Sequence, residues 1–94
     1  MSLLKNPCHP GEVLKELYLT PVDMSEGQLA KRLDVPRTRI ERLTKQTTSL
    51  TVDTALRLSR FFGTTPEYWL NMQSSYDLAN ANVDVSAIKP LEMV

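Results

Sequence analysis

The stretch from Ser25 to Lys45, SEGQLAKRLDVPRTRIERLTK, decides the fold of this chain. Ser25 and Gln28 stand at the spacing of a capping box, in which each side chain meets the other residue's backbone amide. Met24 ahead of the cap and Leu29 behind it are placed for a hydrophobic staple, and Leu29, Ala30 and Leu33 give the helix one apolar side. Asp34 falls at a turn, where a short polar side chain tolerates positive φ. Pro36 suits the first turn of a second helix, where no amide is needed, and that helix reads from about Pro36 to Lys45. Two short helices joined by a tight turn, the second rich in arginine, have the form of a helix-turn-helix covering about residues 25–45.

On a wheel of about 100° per residue, Ile40 and Leu43 mark the buried side of the second helix, with Thr38, Arg42 and Lys45 opposite. Arg37 flanks that face at the helix start and Arg39 lies nearer the buried edge. Arginine can bond guanine O6 and N7 through two N–H groups, and a threonine methyl can touch a thymine methyl. The candidate DNA-binding residues are therefore Ser25, Gln28, Arg37, Thr38, Arg39, Arg42 and Lys45. Thr47 and Ser49, in the polar loop that follows, either meet phosphates or simply solvate that loop.

Outward from this unit, His9-Pro10-Gly11-Glu12 starts a first helix whose expected core stripe is Val13, Leu14, Leu17 and Tyr18, ended by Thr20 and Pro21. Thr51 caps a fourth helix. Val52, Ala55, Leu56, Leu58, Phe61 and Phe62 make it apolar over a wide arc, which predicts the most buried helix of the chain, closed by Gly63. Thr65-Pro66-Glu67 opens a fifth helix to about Asn80, with Trp69, Met72, Tyr76 and Ala79 on one side. That stripe reads equally as ordinary core and as a dimer interface, because aromatic residues favour interfaces. Residues 1–8 are a lead-in without periodicity, and residues 83–94 read as a flexible or partner-binding tail or a short strand. The fold expected is all-α, a compact five-helix single domain over residues 1–94.

Leu29, Ala30, Leu33, Val35, Ile40 and Leu43 match the core pattern of the lambda-repressor-like helix-turn-helix family, which this stretch resembles. Asp34 and Gln46 stand where that family usually has glycine. A longer resemblance, over about residues 7–81, joins HPGEVL at 9–14, LTVDTALRL at 50–58 and FFGTTPEYWLNMQ at 61–73. Together these look like the HigA-type antitoxins of toxin–antitoxin modules. The resemblance implies a sequence-specific repressor that binds a palindromic operator in double-stranded DNA as a homodimer and neutralises a small basic, RelE/HigB-like mRNA-cleaving toxin.

Composition bounds the alternatives. Ninety-four residues, 41% hydrophobic, suffice for one small domain. The formal net charge is zero, but it is unevenly spread. Residues 31–60 hold eight Lys/Arg against three Asp/Glu, whereas residues 1–30 and 61–94 are net −2 and −3. A basic middle on a helix-turn-helix is the pattern of a DNA-facing surface, since phosphate neutralisation depends on local charge. Acidic positions outside it, Glu12, Glu16, Glu67 and Asp77, would attract a basic partner or form a solvated face. One cysteine, Cys8, and one histidine, His9, exclude an internal disulfide and a zinc ligand set, so no metal or cofactor is expected. His9 is expected at a helix start. No apolar run reaches the about 20 residues that span a bilayer, which predicts a cytoplasmic protein. No catalytic constellation is present, so an enzyme is not expected. The remaining alternative is a protein-interaction module that keeps the fold without binding DNA.

Overall fold

The computed structural model describes residues 7–92. The first six residues, most of the expected lead-in, and the last two of the expected tail lie outside them. Among the described residues there are five α-helices and no strand: α1 (Pro10–Val13), α2 (Glu26–Leu33), α3 (Arg37–Thr44), α4 (Val52–Phe62) and α5 (Pro66–Asn80). The architecture is all-α and lambda-repressor-like.

The start of α1 is set by His9, whose Nδ1 accepts a hydrogen bond from the Gly11 amide at 2.9 Å, with Pro10 in the first turn. From Leu14 the winding loosens into a π-helical stretch, Leu14–Leu19, and then tightens into a 3-10 turn, Thr20–Val22, closed by Asp23 at φ 53°. A π turn bonds residue i to i+5. It brings Leu14 and Leu19 together into the core and turns Leu17 outward, 49% exposed. The regular 3–4 stripe expected through Leu17 is corrected by this change of winding, and Leu19 takes its place.

The helix-turn-helix forms as its local signals dictate. Gln28 N–H donates to Ser25 Oγ at 3.1 Å, and Ser25 N–H donates to Gln28 Oε1 at 2.8 Å, completing the capping box. Asp34 closes α2 in the left-handed region at φ 59°, and Pro36, extended, caps α3. Leu29, Ala30, Leu33, Ile40 and Leu43 are buried together. Gln46, at φ 63°, turns the chain out of α3 where the family usually places glycine.

Two expectations for the last helices change. α4 buries Thr54, Ala55, Leu58 and Ser59 but leaves Val52 59% and Leu56 53% exposed, so it is amphipathic rather than the most buried helix. Only α2 and α5 among the helices pack broadly against it, and neither covers that side. In α5, Trp69 is fully buried. Its Nε1 donates to Thr64 Oγ1 at 2.8 Å, and its ring lies among Tyr18, Phe62 and Tyr68. Trp69 therefore belongs to the core and offers no surface to a dimer. Met72 and Tyr76 are half-buried and Ala79 is exposed. Gln73 is buried: Leu50 N–H donates to its Oε1 at 2.7 Å and its Nε2 donates to Asp77. From Ala81 to Glu92 the chain is exposed and has neither helix nor strand, with Val83, Val85, Ile88 and Leu91 uncovered.

Candidate nucleic-acid interface

The nine residues singled out in the sequence, Ser25, Gln28, Arg37, Thr38, Arg39, Arg42, Lys45, Thr47 and Ser49, are all exposed. The fold divides them. Thr38, Arg39 and Arg42 on α3 join Ser49 around one shallow concavity of about 370 Å³, which also takes in Thr48, Thr51 and Asp53. Ser25 and Gln28 sit at the α2 start. Their capping box spends the Gln28 oxygen but leaves its amide N–H groups available, close to where α2 presents unpaired backbone amides.

The arginines of α3 differ in how they are held. Arg37 Nε bonds Glu41 Oε2 at 2.9 Å, one turn along the same helix, and its stem passes beside Gly27. Arg39 bonds Asp53 on α4. Asp53 also accepts from Arg57 Nε at 3.0 Å, and Arg57 Nη1 donates to the Leu33 carbonyl at 2.7 Å, capping the end of α2. These two guanidinium groups hold the Asp53 carboxyl below the usual carboxylate range, Arg39 having the larger effect. Arg39 is thus oriented by a chain of polar contacts that begins at the helix-turn-helix turn. Such exposed pairs add little to stability. They fix direction. Arg42 and Lys45 make no side-chain bond among the described residues, so their charges face outward uncompensated. Thr47 Oγ1 donates to the Arg42 carbonyl at 3.1 Å and closes the helix end.

The interface is braced from behind by helix 1. Gly11 passes so close to α3 that a Cβ there would overlap the Leu43 carbonyl oxygen and stand 2.6 Å from its carbon. His9 is buried; its Nε2 bonds the Thr48 carbonyl at 3.0 Å and its ring meets Tyr76 edge-on at 5.0 Å. Burial pushes the imidazole pKa down, against the smaller upward pull of the Thr48 carbonyl, Asp77 and Glu12. With Nδ1 accepting from Gly11, the ring is neutral and donates through Nε2. His9 therefore ties the helix 1 start to the loop beside α3. Sequence reasoning missed Gly11, Thr48, Asp53 and Arg57 as parts of this site. The i,i+4 spacing of Asp53 and Arg57 was a readable signal. The contacts of Asp53 with Arg39 and of Gly11 with Leu43 are non-local and had none.

Fold and site together define a helix-turn-helix domain of the lambda-repressor-like class. The family profile described as Helix-turn-helix matches residues 14–69. Virulence-associated protein I of Dichelobacter nodosus is 48% identical over 80 residues, covering 85% of this chain and 74% of that protein. A solved antidote protein of the HigA family from Coxiella burnetii is 50% identical, at a TM-score of 0.74 over 79% of this chain and 80% of that one. Antitoxin HigA of Pseudomonas aeruginosa, solved with the higBA promoter, is 36% identical at a TM-score of 0.76, over 79% and 80% of the two chains. The chain belongs to the helix-turn-helix family, and the relatives it resembles include HigA-type antitoxins and HTH-type transcriptional regulators. No helix among the described residues is long and apolar enough to cross a membrane.

Proposed function

We propose that this protein is a sequence-specific transcriptional repressor and the antitoxin of a type II toxin–antitoxin module. It acts in the cytoplasm as a homodimer, binds a palindromic operator upstream of its own operon, and neutralises a small basic, RelE/HigB-like mRNA-cleaving toxin. The observation that carries the DNA half is the outward face of α3: Thr38 and Arg42 with Ser49 around one concavity, and Lys45 unpaired at the helix end. Arg42 and Arg39 read base edges, while Lys45, Ser49 and the Gln28 amide hold phosphates and Thr47 keeps the end of α3 closed. One recognition helix buries too little surface to be specific alone, so two copies place two helices about 10 base pairs, or a multiple, apart. The second copy meets the far half of α5 on the side of half-buried Tyr76 and exposed Ala79. The similarity to HigA proteins supports the antitoxin half. Residues 83–94 serve as a tail for protein contacts. Footprinting of the purified protein on its own upstream region tests the reading: a two-fold symmetric protected site is expected, and one-to-one binding to an asymmetric half-site contradicts it.

A further inference from the structure

The first helical segment and α5 leave between them an open groove of about 450 Å³ that shares no residue with the α3 concavity. Its walls are Val13 and Leu17 on one side and Tyr68, Asn71, Met72 and Ser75 on the other, with Cys8 at one end. Leu17, turned outward by the π winding, is 49% exposed and Tyr68 is 38% exposed. Beside the groove, Tyr18 and Tyr68 join hydroxyl to hydroxyl at 3.0 Å and link its two walls. Burial first, and then this bond, push the Tyr18 pKa up to about 12.

The charge around it is one-sided. The segments 7–22 and 66–80 that form the groove carry Glu12, Glu16, Glu67 and Asp77 against a single Lys15, whereas residues 26–62 hold eight Lys/Arg and four Asp/Glu. Glu12 lies near enough to Cys8 to help burial raise the thiol pKa, which places a carboxylate at the groove's end. Glu16 follows Glu12 one turn on, next to Leu17, and Glu67 precedes Tyr68. An isologous contact with a second copy would set this acidic rim against itself. A basic partner gains from it.

We infer that this groove is the docking site for an apolar segment flanked by Lys or Arg on a basic protein partner, with Leu17, Tyr68 and Met72 as the apolar contacts and Glu12, Glu16 and Glu67 as the charged rim. The inference rests on the antitoxin reading and gives it a surface. It moves Met72 from the dimer interface to this groove. DNA and partner then occupy separate sides, and a ternary complex on the operator is sterically open. The occupant follows the helix-in-groove mode, in which affinity comes from a few apolar anchors and selection from the charged rim.

The test uses the full chain and, as probe, the small basic protein encoded beside its gene, purified and titrated by calorimetry. Leu17→Arg should weaken probe binding by about 10- to 150-fold, the loss of one buried leucine contact. Glu16→Lys, at an exposed position that does not touch the core, should give a smaller loss that vanishes by about 0.5 M salt. Both variants should melt like the wild type and bind the upstream DNA unchanged. If the wild type does not bind the probe, the antitoxin reading fails and this inference with it. If the wild type binds and both variants bind equally well, the groove alone is refuted. Conversion of Leu17→Arg from dimer to monomer, with loss of DNA binding, would show a second copy in the groove and refute it as well.

Discussion

Gly11→Ala should be the most damaging single-methyl change in this protein, and it should weaken DNA binding without touching a DNA-facing residue. The added Cβ would overlap the Leu43 carbonyl oxygen and lie 2.6 Å from the Leu43 carbonyl carbon and 3.1 Å from His9 Nδ1. The overlap with the oxygen, the tightest of these contacts, must open to an ordinary separation, so helix 1 must back away from α3 by roughly 1.5 Å. Neither side can yield cheaply. The obstacle is backbone, and Leu43 is 2% exposed. Overpacking of this kind costs about 1–3 kcal/mol, which lowers the melting temperature by about 4–24 °C in a domain of this size. Gly27→Ala is the control: its Cβ would meet only the Arg37 stem at 3.5 Å, an ordinary contact. Within α2 it should stabilise by about 0.5–1 kcal/mol. Thermal melts of both variants and anisotropy titrations on the upstream DNA, run well below either transition, read the two effects. A Gly11→Ala variant that melts and binds like the wild type would refute the claim that helix 1 props the recognition helix.

Three further outcomes follow from the same geometry. Because burial holds His9 below the about 6.5 of an unfolded histidine, the unfolded chain binds more protons as pH falls through that value. The stability His9 contributes is therefore complete above about pH 6.5 and lost below it, by up to about 1.4 kcal/mol per pH unit. Urea midpoints at about pH 7.5 and about pH 5.5 should converge for His9→Asn, which can still cap Gly11, and an equal drop in both proteins would remove His9 as the cause. Asp53→Asn should release Arg39, tightening binding to random DNA while narrowing the preference for the operator, with little change in melting because the carboxylate is exposed; unchanged discrimination in a competition assay contradicts the positioning role. Trp69→Ala should cost about 3–5 kcal/mol, as for any fully buried tryptophan, and a loss of dimer with retained fold would restore the interface assignment.

How far the sequence could be read depended on whether the deciding contact was local. The capping box of Ser25 and Gln28, the left-handed turn at Asp34 and the cap at Thr51 are satisfied within four residues, so residue type and spacing were enough. The exposed face of α3 followed from Ile40 and Leu43 alone. Helix 1 was misread because a 3.6-residue period was imposed on a segment wound as a π-helix, and nothing in LKELYL announces that winding. α4 was misread because apolar residues were counted without knowing which side its neighbours cover: Ala55 and Leu58 face them, Val52 and Leu56 do not. Trp69 fitted both a core and an interface by pattern, and only the ring cluster with Tyr18 and Phe62 decides for the core. In the site, Arg39 lay near the buried edge of the wheel, and its tie to Asp53 is a contact between residues 14 apart that spacing does not show.

Base reading by α3 is the property that separates a sequence-specific repressor from a phosphate-holding domain. Arg42→Ala and Lys45→Ala should be titrated, beside the wild type, against the upstream operator and a scrambled duplex over a series of salt concentrations. Arg42→Ala should lose about 1–3 kcal/mol on the operator and far less on scrambled DNA, relaxing preference at one base pair in each half-site. Lys45→Ala should weaken both duplexes alike and make the slope of log affinity against log salt shallower by about one. An Arg42→Ala variant that loses equal affinity for both sequences, or none for either, would contradict the assignment of α3 as the recognition helix of a sequence-specific repressor.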